Sequence, residues 1–309
     1  MRLDAGGMTA VRGVALGRRY RSVRAALAAV ALLPALLVSG CVPAPRAAPP
    51  GRQEAPTASA PMPAIIYEQV RSEHRQTDVR LYTAHPSGLE RTKGLPVVLY
   101  LHGRDGIDPT PIPYDTLAAL EREYRDGAIP AFAFVVVDGG YNAYWTDGSA
   151  NGDLSSMLTE ELPRWLRERG LGDDEGRPFA VAGISTGGFG ALNYAIARQA
   201  AGNPVSAVAE LAPALPVTWE HMSEKGVFGS EEQWRHADPL AHLDKLGDVP
   251  VGVWVGDTDP FLPGAERLVA EHTDIPVASV LPGGHDGSVF DVVGADMVRF
   301  LADHVPAAG

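Results

Sequence analysis

The pentapeptide Gly183–Gly187, with Ser185 at its centre, has the residue types and spacing that can present a hydroxyl for nucleophilic attack. The pentapeptide alone is a weak signal, because a chain with 34 glycines in 309 residues matches this pattern about 0.2 times by chance. Its context is more specific, since the buried-strand pattern PFAVAGI enters the serine and the helical pattern GGFGALNYAIARQ leaves it. A strand, a sharp turn and a helix in this order predict that Ser185 is raised into the open as a nucleophile.

A serine hydroxyl needs a base, and His285 is the best placed of the nine histidines. It follows the last apolar strand pattern, within the glycine-rich stretch LPGGHDG. Asp259, in the earlier stretch VGDTDPF, is predicted to hold the imidazole and to stabilise its charged form. The order serine, acid, histidine fits a triad whose last two members lie on loops after later strands. Asp257 is the alternative acid; otherwise it would fix the turn through hydrogen bonds to the backbone.

Two backbone amides are predicted to stabilise negative charge on an attacked carbonyl oxygen. The amide of Thr186 lies at the start of the helix that follows the serine. The amide of Arg104 follows the strand pattern VVLYLHG, where His102 and Gly103 would shape the turn. No histidine pair has the spacing of a zinc site, so no metal or organic cofactor is predicted. Five histidines are predicted to be solvated, namely His221, His236, His242, His272 and His304.

Six short apolar runs are predicted to form the strands that position these residues. They span residues 96–102, 131–138, 178–184, 205–211, 251–256 and 276–281. Continuous apolar runs of this length are typical of strands buried on both faces of a parallel sheet. Two alternating segments, IIYEQVRS and TDVRLYTA, precede them and predict antiparallel strands that are half exposed to water.

Helical patterns separate several of these strands. The stretch GDLSSMLTEELPRWLRERG places its apolar residues near one face and ends in basic residues and a glycine, so it predicts one helix. Further helices are predicted from GGFGALNYAIARQA, PGAERLVAEH and DVVGADMVRFLADHV. Strands that alternate with helices predict one α/β domain, with a mostly parallel central sheet and helices on both faces.

The start of the chain has the features of a bacterial export signal. Four arginines between residues 18 and 24 precede the apolar run AALAAVALLPALLVSGC, which Pro34 interrupts and which is short for a membrane span. The run ends in a lipobox-like sequence at Cys41, the only cysteine of the chain, so an internal disulfide is excluded. We predict export and lipidation of Cys41 at the outer face of the cell membrane. An ordinary secretory signal or an uncleaved anchor is the alternative, and the sequence leaves open Met8 as the start and the Sec or Tat route.

Composition sets the remaining boundaries. A signal peptide over 1–40 is followed by a Pro/Ala-rich, disordered tether over 41–63 and by the catalytic domain over 64–309. Cleavage would remove six arginines and one aspartate, so the mature chain would be more acidic than the formal net charge of −12 of the full chain. An acidic chain without a clustered Lys/Arg face is not expected to bind nucleic acid. We expect a monomer whose partners are its ester substrate and, through Cys41, the membrane.

Several stretches carry a family resemblance over about residues 96–290: LYLHGRDG, DGGYNAYWTDGSANGD with EELPRWL, GISTGG, VGDTDPF and GGHD. In sequence and order they resemble the α/β-hydrolase esterases that include esterase D, S-formylglutathione hydrolase and the antigen 85 mycolyltransferases. The resemblance implies an α/β-hydrolase fold and supports Asp259 and His285 as triad members. Thr186 stands where many members have methionine, which should change the pocket floor but not the chemistry. Antigen 85 proteins use glutamate as the acid and have a longer region around the histidine, so the chain looks more like the general esterases.

Aromatic residues after the second parallel strand are predicted to form the substrate wall. The candidates are Tyr141, Asn142, Tyr144 and Trp145. A Tyr/Trp cluster beside polar residues suits an acyl or aryl ester, and a packing role is the alternative. The segment PALPVTWEHMSEKGVFGSEEQW lies where such folds insert a cap. Its Trp219, Met222 and Phe228 are expected to cover an acyl pocket.

The predicted function is that of a serine esterase, which hydrolyses carboxylic esters through an acyl-enzyme. One alternative is an acyltransferase of mycolyltransferase type, which passes the acyl group to a sugar or lipid alcohol instead of water. A further alternative is a non-catalytic binding lipoprotein on a hydrolase scaffold.

Overall fold

A computed structural model describes residues 61–108 and 110–307 of the chain. The predicted signal peptide, Cys41 and most of the predicted tether lie outside these ranges. All described residues belong to one structural unit, Ala58–Gly309. None of the helices in the described ranges is both long enough and apolar enough to cross a membrane.

Eight strands form one sheet, in the spatial order β1-β2-β4-β3-β5-β6-β7-β8. The strands are β1 (Ala64–Ser72), β2 (Thr77–His85), β3 (Val97–Leu101), β4 (Ala133–Val137), β5 (Ala180–Ile184), β6 (Ala207–Leu211), β7 (Val251–Gly256) and β8 (Val277–Leu281). The β1–β2 and β2–β4 pairs are antiparallel, and the other neighbouring pairs are parallel. The mostly parallel sheet predicted from the apolar runs is therefore confirmed.

Burial follows the apolar runs except at the last strand. Strands β3, β4, β6 and β7 are buried along their whole length, as continuous apolar runs predict. In β8 the residues alternate between partly buried and exposed, and Val280 is 58% exposed. The expectation that β8 is buried on both faces is wrong, because it is an edge strand with a single neighbour.

Helices cover both faces of the sheet. One apolar layer includes residues of α1 and α9, and the other includes residues of α3, α4 and α7. The helices are α1 (Tyr114–Arg125), α2 (Leu154–Ser156), α3 (Leu162–Glu168), α4 (Thr186–Ala200), α5 (Trp219–Ser223), α6 (Glu231–Ala237), α7 (Leu262–Glu271), α8 (Gly287–Phe290) and α9 (Gly294–Ala302). Short 3₁₀ turns cover Pro239–Ala241 and Leu243–Lys245.

The helix predicted from GDLSSMLTEELPRWLRERG is interrupted. A π-helical segment, Met157–Glu161, separates α2 from α3. Its last residue, Glu161, accepts hydrogen bonds from Ser72 Oγ (2.6 Å) and from the Glu73 amide (2.8 Å) at the end of β1. A π turn is wider than an α turn. The interruption could not be predicted from the helical periodicity, because that periodicity carries no information on the contact of Glu161 with β1.

The parallel strands bring four predicted site residues to one edge of the sheet. Arg104 follows β3, Ser185 follows β5, Asp259 follows β7 and His285 follows β8. The carboxyl ends of parallel strands lie at the same edge, which is where ligands bind in open α/β sheets.

Candidate active site

Ser185 occupies a sharp turn between β5 and α4. Its backbone has φ 56° and ψ −118°, a conformation that non-glycine residues rarely adopt. The Ser185 amide donates to the Leu211 carbonyl (3.0 Å), and the Ser185 carbonyl accepts from the amides of Gly188 (3.0 Å) and Ala214 (2.7 Å). These three hydrogen bonds support the strained turn, which places the serine at the rim of a cavity.

Two glycines of the pentapeptide are required by close backbone approach. A Cβ on Gly183 would lie 2.2 Å from the carbonyl oxygen of Gly187, and a Cβ on Gly187 would lie 1.9 Å from that of Leu101. Backbone atoms cannot move aside as a flexible side chain can. The turn therefore needs glycine on both sides of the serine.

Ser185, His285 and Asp259 form a continuous chain of hydrogen bonds. Ser185 Oγ donates to His285 Nε2 at 2.8 Å, and His285 Nδ1 donates to Asp259 Oδ2 at 2.7 Å. Both contacts are satisfied by the tautomer with its proton on Nδ1, which leaves Nε2 able to accept the serine proton. The Asp259 side chain is fully buried, and its Oδ1 accepts from the Phe261 amide at 2.8 Å. The carboxylate is thus fixed on both oxygens.

Asp257 lies in the same loop but holds the backbone rather than the imidazole. Its side chain accepts a hydrogen bond from the Gly283 amide at 3.0 Å, and the residue is exposed. Its own amide donates to the Leu281 carbonyl at 2.8 Å. Asp257 therefore supports the loop that carries His285, and the structure brings Asp259 to the imidazole.

The two predicted oxyanion donors meet at the cavity. Arg104 and Thr186 both line it together with Ser185. Thr186 is the first residue of α4, so its amide is one of those that have no acceptor within a helix. The Arg104 carbonyl accepts from the Asn142 amide (2.7 Å), and the Asn142 side chain donates to the Lys225 carbonyl (2.9 Å). Asn142 thereby fixes the loop that presents the Arg104 amide.

His102 supports the same loop from below. Its Nε2 accepts from the Gly139 amide at 2.8 Å, and its Nδ1 donates to the Gly103 carbonyl at 2.7 Å, so both ring nitrogens are used. Burial lowers the pKa of the His102 imidazole. His102 is therefore a neutral residue that shapes the turn.

A cavity of about 810 Å³ opens at Ser185. It has an apolar wall beside Ser185 and His285, formed by Ile184, Phe261 and Phe290. The Phe261 and Phe290 rings lie edge-on to the imidazole of His285, with centroids 5.1 Å and 5.4 Å away. Charged residues also line the cavity, namely Arg104, Asp105, Asp108, Glu224, Lys225 and Asp291. The cavity thus combines an apolar surface beside Ser185 and His285 with charged groups of both signs.

The three predicted substrate-binding aromatic residues separate in the structure. Tyr141 lines the cavity and is 67% exposed. Trp145 is 1% exposed and donates its indole N–H to the His102 carbonyl (3.3 Å), so it is a packing residue below the loop. Trp219 stacks on Trp234 with ring centroids 6.3 Å apart and does not line the cavity. Trp145 thus has the packing role that was its alternative. The expectation that Trp219 covers the acyl pocket is wrong, because its ring packs on Trp234.

The segment predicted to be a cap contributes charged residues instead of apolar ones. Met222 is fully buried, and Phe228 packs on Tyr144 with ring centroids 6.3 Å apart. Glu224 and Lys225 line the cavity. The apolar pattern of the segment does not point to these two residues.

Two aromatic residues of the wall were also missed, although a signal for them exists. Phe261 closely follows Asp259 in the chain, and Phe290 closely follows His285, so each is expected to lie near that residue. His221 stacks on Phe261 at 5.1 Å, and burial, followed by the charge of Lys225, lowers the pKa of His221. His221 lies on a surface helix as expected, but it is only partly exposed because of this contact with Phe261.

His272 also differs from its expected position in solvent. It is 8% exposed, and its Nε2 donates to the Val249 carbonyl at 2.7 Å. It joins the end of α7 to the segment before β7, at the opposite end of that strand from Asp259.

The strand order and the serine turn define the class of the protein as an α/β-hydrolase, and solved structures share this fold. A ferulic acid esterase has a TM-score of 0.63 at 18% identity, over 79% of this chain and 99% of that chain. An S-formylglutathione hydrolase from Agrobacterium tumefaciens has a TM-score of 0.59 at 17% identity, over 81% and 98%. MPT51 from Mycobacterium tuberculosis has a TM-score of 0.56 at 16% identity, over 78% and 99%. At these identities the likeness shows the fold alone.

Sequence comparison identifies the family. The model of the family described as "Putative esterase" matches residues 72–277, which is more than half of the chain, so the chain belongs to this family. Among curated proteins the comparison finds no significant match. As a member of this family the protein is a carboxylic ester hydrolase that acts on small-molecule esters, so the alternative of a non-catalytic binding protein is not supported.

Proposed function

We propose that the protein hydrolyses its substrate through an acyl-enzyme on Ser185. The hydrogen-bond chain from Ser185 through His285 to Asp259 carries this proposal, because it gives the hydroxyl a base and gives the base a fixed anion. As Oγ bonds to the ester carbonyl carbon, His285 Nε2 takes its proton. The amides of Arg104 and Thr186 donate to the oxyanion that forms.

The remaining steps return every group to its starting state. Collapse of the tetrahedral intermediate breaks the bond to the alcohol oxygen, and the imidazolium of His285 gives its proton to the leaving alcohol. Water then attacks acyl-Ser185 and gives a proton to His285. A second collapse releases the acid and restores the serine hydroxyl. Asp259 stays ionised throughout and stabilises the imidazolium.

The cavity supports a proposal about the shape of the ester. Ile184, Phe261 and Phe290 offer an apolar surface for a short acyl or aryl group next to the serine. The charged residues of the cavity suit a hydrophilic remainder of the substrate. A series of p-nitrophenyl esters of increasing chain length tests this, and we expect kcat/KM to be highest for short acyl chains.

The direct test compares two serine variants in the hydrolysis of a short p-nitrophenyl ester. Ser185→Ala should reduce turnover to the background of the solution. Ser223→Ala is the matched control, since Ser223 is exposed and its hydroxyl donates only to the Glu220 carbonyl (2.8 Å). The proposal fails if Ser185→Ala keeps wild-type turnover.

Acyl transfer to an alcohol is a second candidate, which shares the acyl-enzyme. Acyl transfer is favoured by the charged side chains of the cavity, because such side chains can hold a hydroxylated acceptor beside Ser185. These side chains are Arg104, Asp105, Glu224 and Lys225. Product analysis with and without added glycerol or trehalose separates the two reactions. A transferase gives an acylated acceptor, whereas a hydrolase gives free acid at the same rate in both mixtures.

Export and lipid anchoring through Cys41 belong to the same proposal. The basic and apolar stretch before Cys41 supports it. In a bacterial host that makes lipoproteins, the full chain should incorporate labelled palmitate and sediment with membranes. Cys41→Ser should abolish both. Label in the Cys41→Ser variant would contradict the anchoring site.

A further inference from the structure

Glu210 is a fully buried carboxylic acid on β6, directly beneath the nucleophile turn. Its exposed fraction is 0%, and neither of its carboxyl oxygens has a hydrogen-bond partner among the described residues. In the sheet register it pairs with Gly183 of the pentapeptide. A Cβ on Gly188 would lie 2.2 Å from Glu210 Oε2, so the carboxyl group contacts the first turn of α4.

The elements around Glu210 offer no charge that would offset its own. Strands β5 and β7 and the segment 211–218 contain no titratable side chain. Helix α4 contains only Tyr194 and Arg198, and Arg198 donates to the Tyr194 hydroxyl at 2.9 Å. Helix α9 also packs against β6 and carries Asp296 and Arg299, and Arg299 is paired with Glu123 at 2.8 Å. The nearby loops carry Asp259 and His285, which bond to each other at 2.7 Å.

A buried carboxylate without a hydrogen bond or a cation is strongly unfavourable. Burial alone raises the pKa of the Glu210 carboxyl well above its ordinary range. Burial and the lack of a partner among the described residues therefore both favour the uncharged form of Glu210.

We propose that Glu210 is a positioning residue of the nucleophile turn and that it acts in its uncharged form. The neutral side chain fills the space against Gly188 and supports the first turn of α4. The amides of that turn face the developing oxyanion, so an ionised Glu210 would place negative charge behind them and oppose the oxyanion. This inference rests on the proposed acyl-enzyme at Ser185.

The pH profile of activity is the first test. In the wild type, kcat/KM should fall by about tenfold on the alkaline side as Glu210 ionises. Glu210→Gln keeps the shape without the charge, so it should retain neutral-pH activity and lose this alkaline fall. Glu161→Gln is the matched control, because Glu161 is a second buried acid outside the site whose oxygens already accept two hydrogen bonds. The control should keep the alkaline fall.

Two outcomes of this test overturn the inference. An alkaline fall that is the same in Glu210→Gln and in the wild type would show that another group controls it. A loss of more than about tenfold in kcat/KM at neutral pH in a folded Glu210→Gln variant would show that the charged form is needed. If Glu210→Gln does not fold, Glu210→Met has a similar length and no titratable group, and the same comparison applies to it.

A second readout needs no activity and keeps this inference separate from the proposed function. At pH values above the ordinary glutamate pKa, Glu210 keeps its proton in the folded wild type and loses it in the unfolded chain. Its unfolding constant should therefore rise by up to about tenfold per pH unit from about pH 5 upward, relative to Glu210→Gln. Equal pH slopes in the two proteins would overturn the neutral state of Glu210. Failure of Ser185→Ala to abolish turnover would instead overturn the acyl-enzyme.

Discussion

Replacing Asp259 by asparagine tests which nitrogen of the imidazole carries the proton. In the wild type Asp259 Oδ1 accepts from the Phe261 amide at 2.8 Å, while Oδ2 accepts from His285 Nδ1 at 2.7 Å. An asparagine should keep its carbonyl oxygen towards the Phe261 amide and turn its NH₂ group towards Nδ1. Two donors cannot face each other, so the proton moves to Nε2. The imidazole then presents an N–H to Ser185 and no longer acts as a base.

The size of the expected loss in kcat follows from two changes, namely the loss of the base and the loss of the anion beside it. A wrong tautomer in this position lowers kcat by about 10³–10⁴-fold, which is about 4–5.5 kcal/mol in the barrier. KM should change little, because the Asp259 side chain is fully buried and does not line the cavity. Steady-state hydrolysis of a short p-nitrophenyl ester measures both constants.

Asp257→Asn is the matched control, with the same chemical change two positions away. Asp257 is exposed and accepts a hydrogen bond from the Gly283 amide, which an asparagine carbonyl accepts equally well. Its kcat should stay within about threefold of the wild type. The reasoning is refuted if Asp257→Asn shows the large loss and Asp259→Asn does not, or if Asp259→Asn changes KM alone.

Three further predictions concern the packing below the site. Trp145→Ala should lower the free energy of unfolding in urea by about 3–5 kcal/mol because this side chain is 1% exposed. Tyr141→Ala, at a 67% exposed position, should change it by less than about 0.5 kcal/mol, and equal losses in the two variants would contradict the burial argument. Gly187→Ala should fail to give folded protein, because its Cβ would lie 1.9 Å from a backbone oxygen. Gly229→Ala is the control, because its Cβ meets only the end of a flexible side chain. Its melting curve, followed by circular dichroism, should match that of the wild type. Wild-type melting of Gly187→Ala would contradict the turn geometry. Glu210→Gln should gain stability over the wild type by up to about 1.4 kcal/mol per pH unit in urea unfolding above about pH 5, because the raised pKa of Glu210 makes wild-type stability fall as pH rises.

The sheet could be predicted from the sequence because its signals are local. Each central strand is a continuous apolar run, and its place in the sheet depends only on pairing with the neighbouring apolar run. Ser185 could be placed at a turn because the glycines around it satisfy close contacts with backbone atoms. Asp259 and His285 could be proposed because each follows a strand whose carboxyl end lies at the same edge of the sheet.

The features of the site that could not be predicted from the sequence depend on how segments distant in the chain pack against each other. Tyr141 and Trp145 belong to one loop and read alike in sequence, yet Trp145 has φ 60° and is buried below His102. No pattern predicts that conformation for a tryptophan. Glu210 reads as one polar position in the apolar run VSAVAEL, and only the approach of Gly188 shows that it lies under the nucleophile turn.

Mapping of a covalent fluorophosphonate label tests the central claim most directly. Trypsin cleaves poorly before proline, so residues 170–198 should be released as one peptide in which Ser185 is the only serine. The account predicts one label per chain on this peptide, complete loss of ester hydrolysis on labelling, and no label on it in Ser185→Ala. A label on another peptide, with hydrolysis unchanged in Ser185→Ala, would contradict the assignment of Ser185 as the nucleophile.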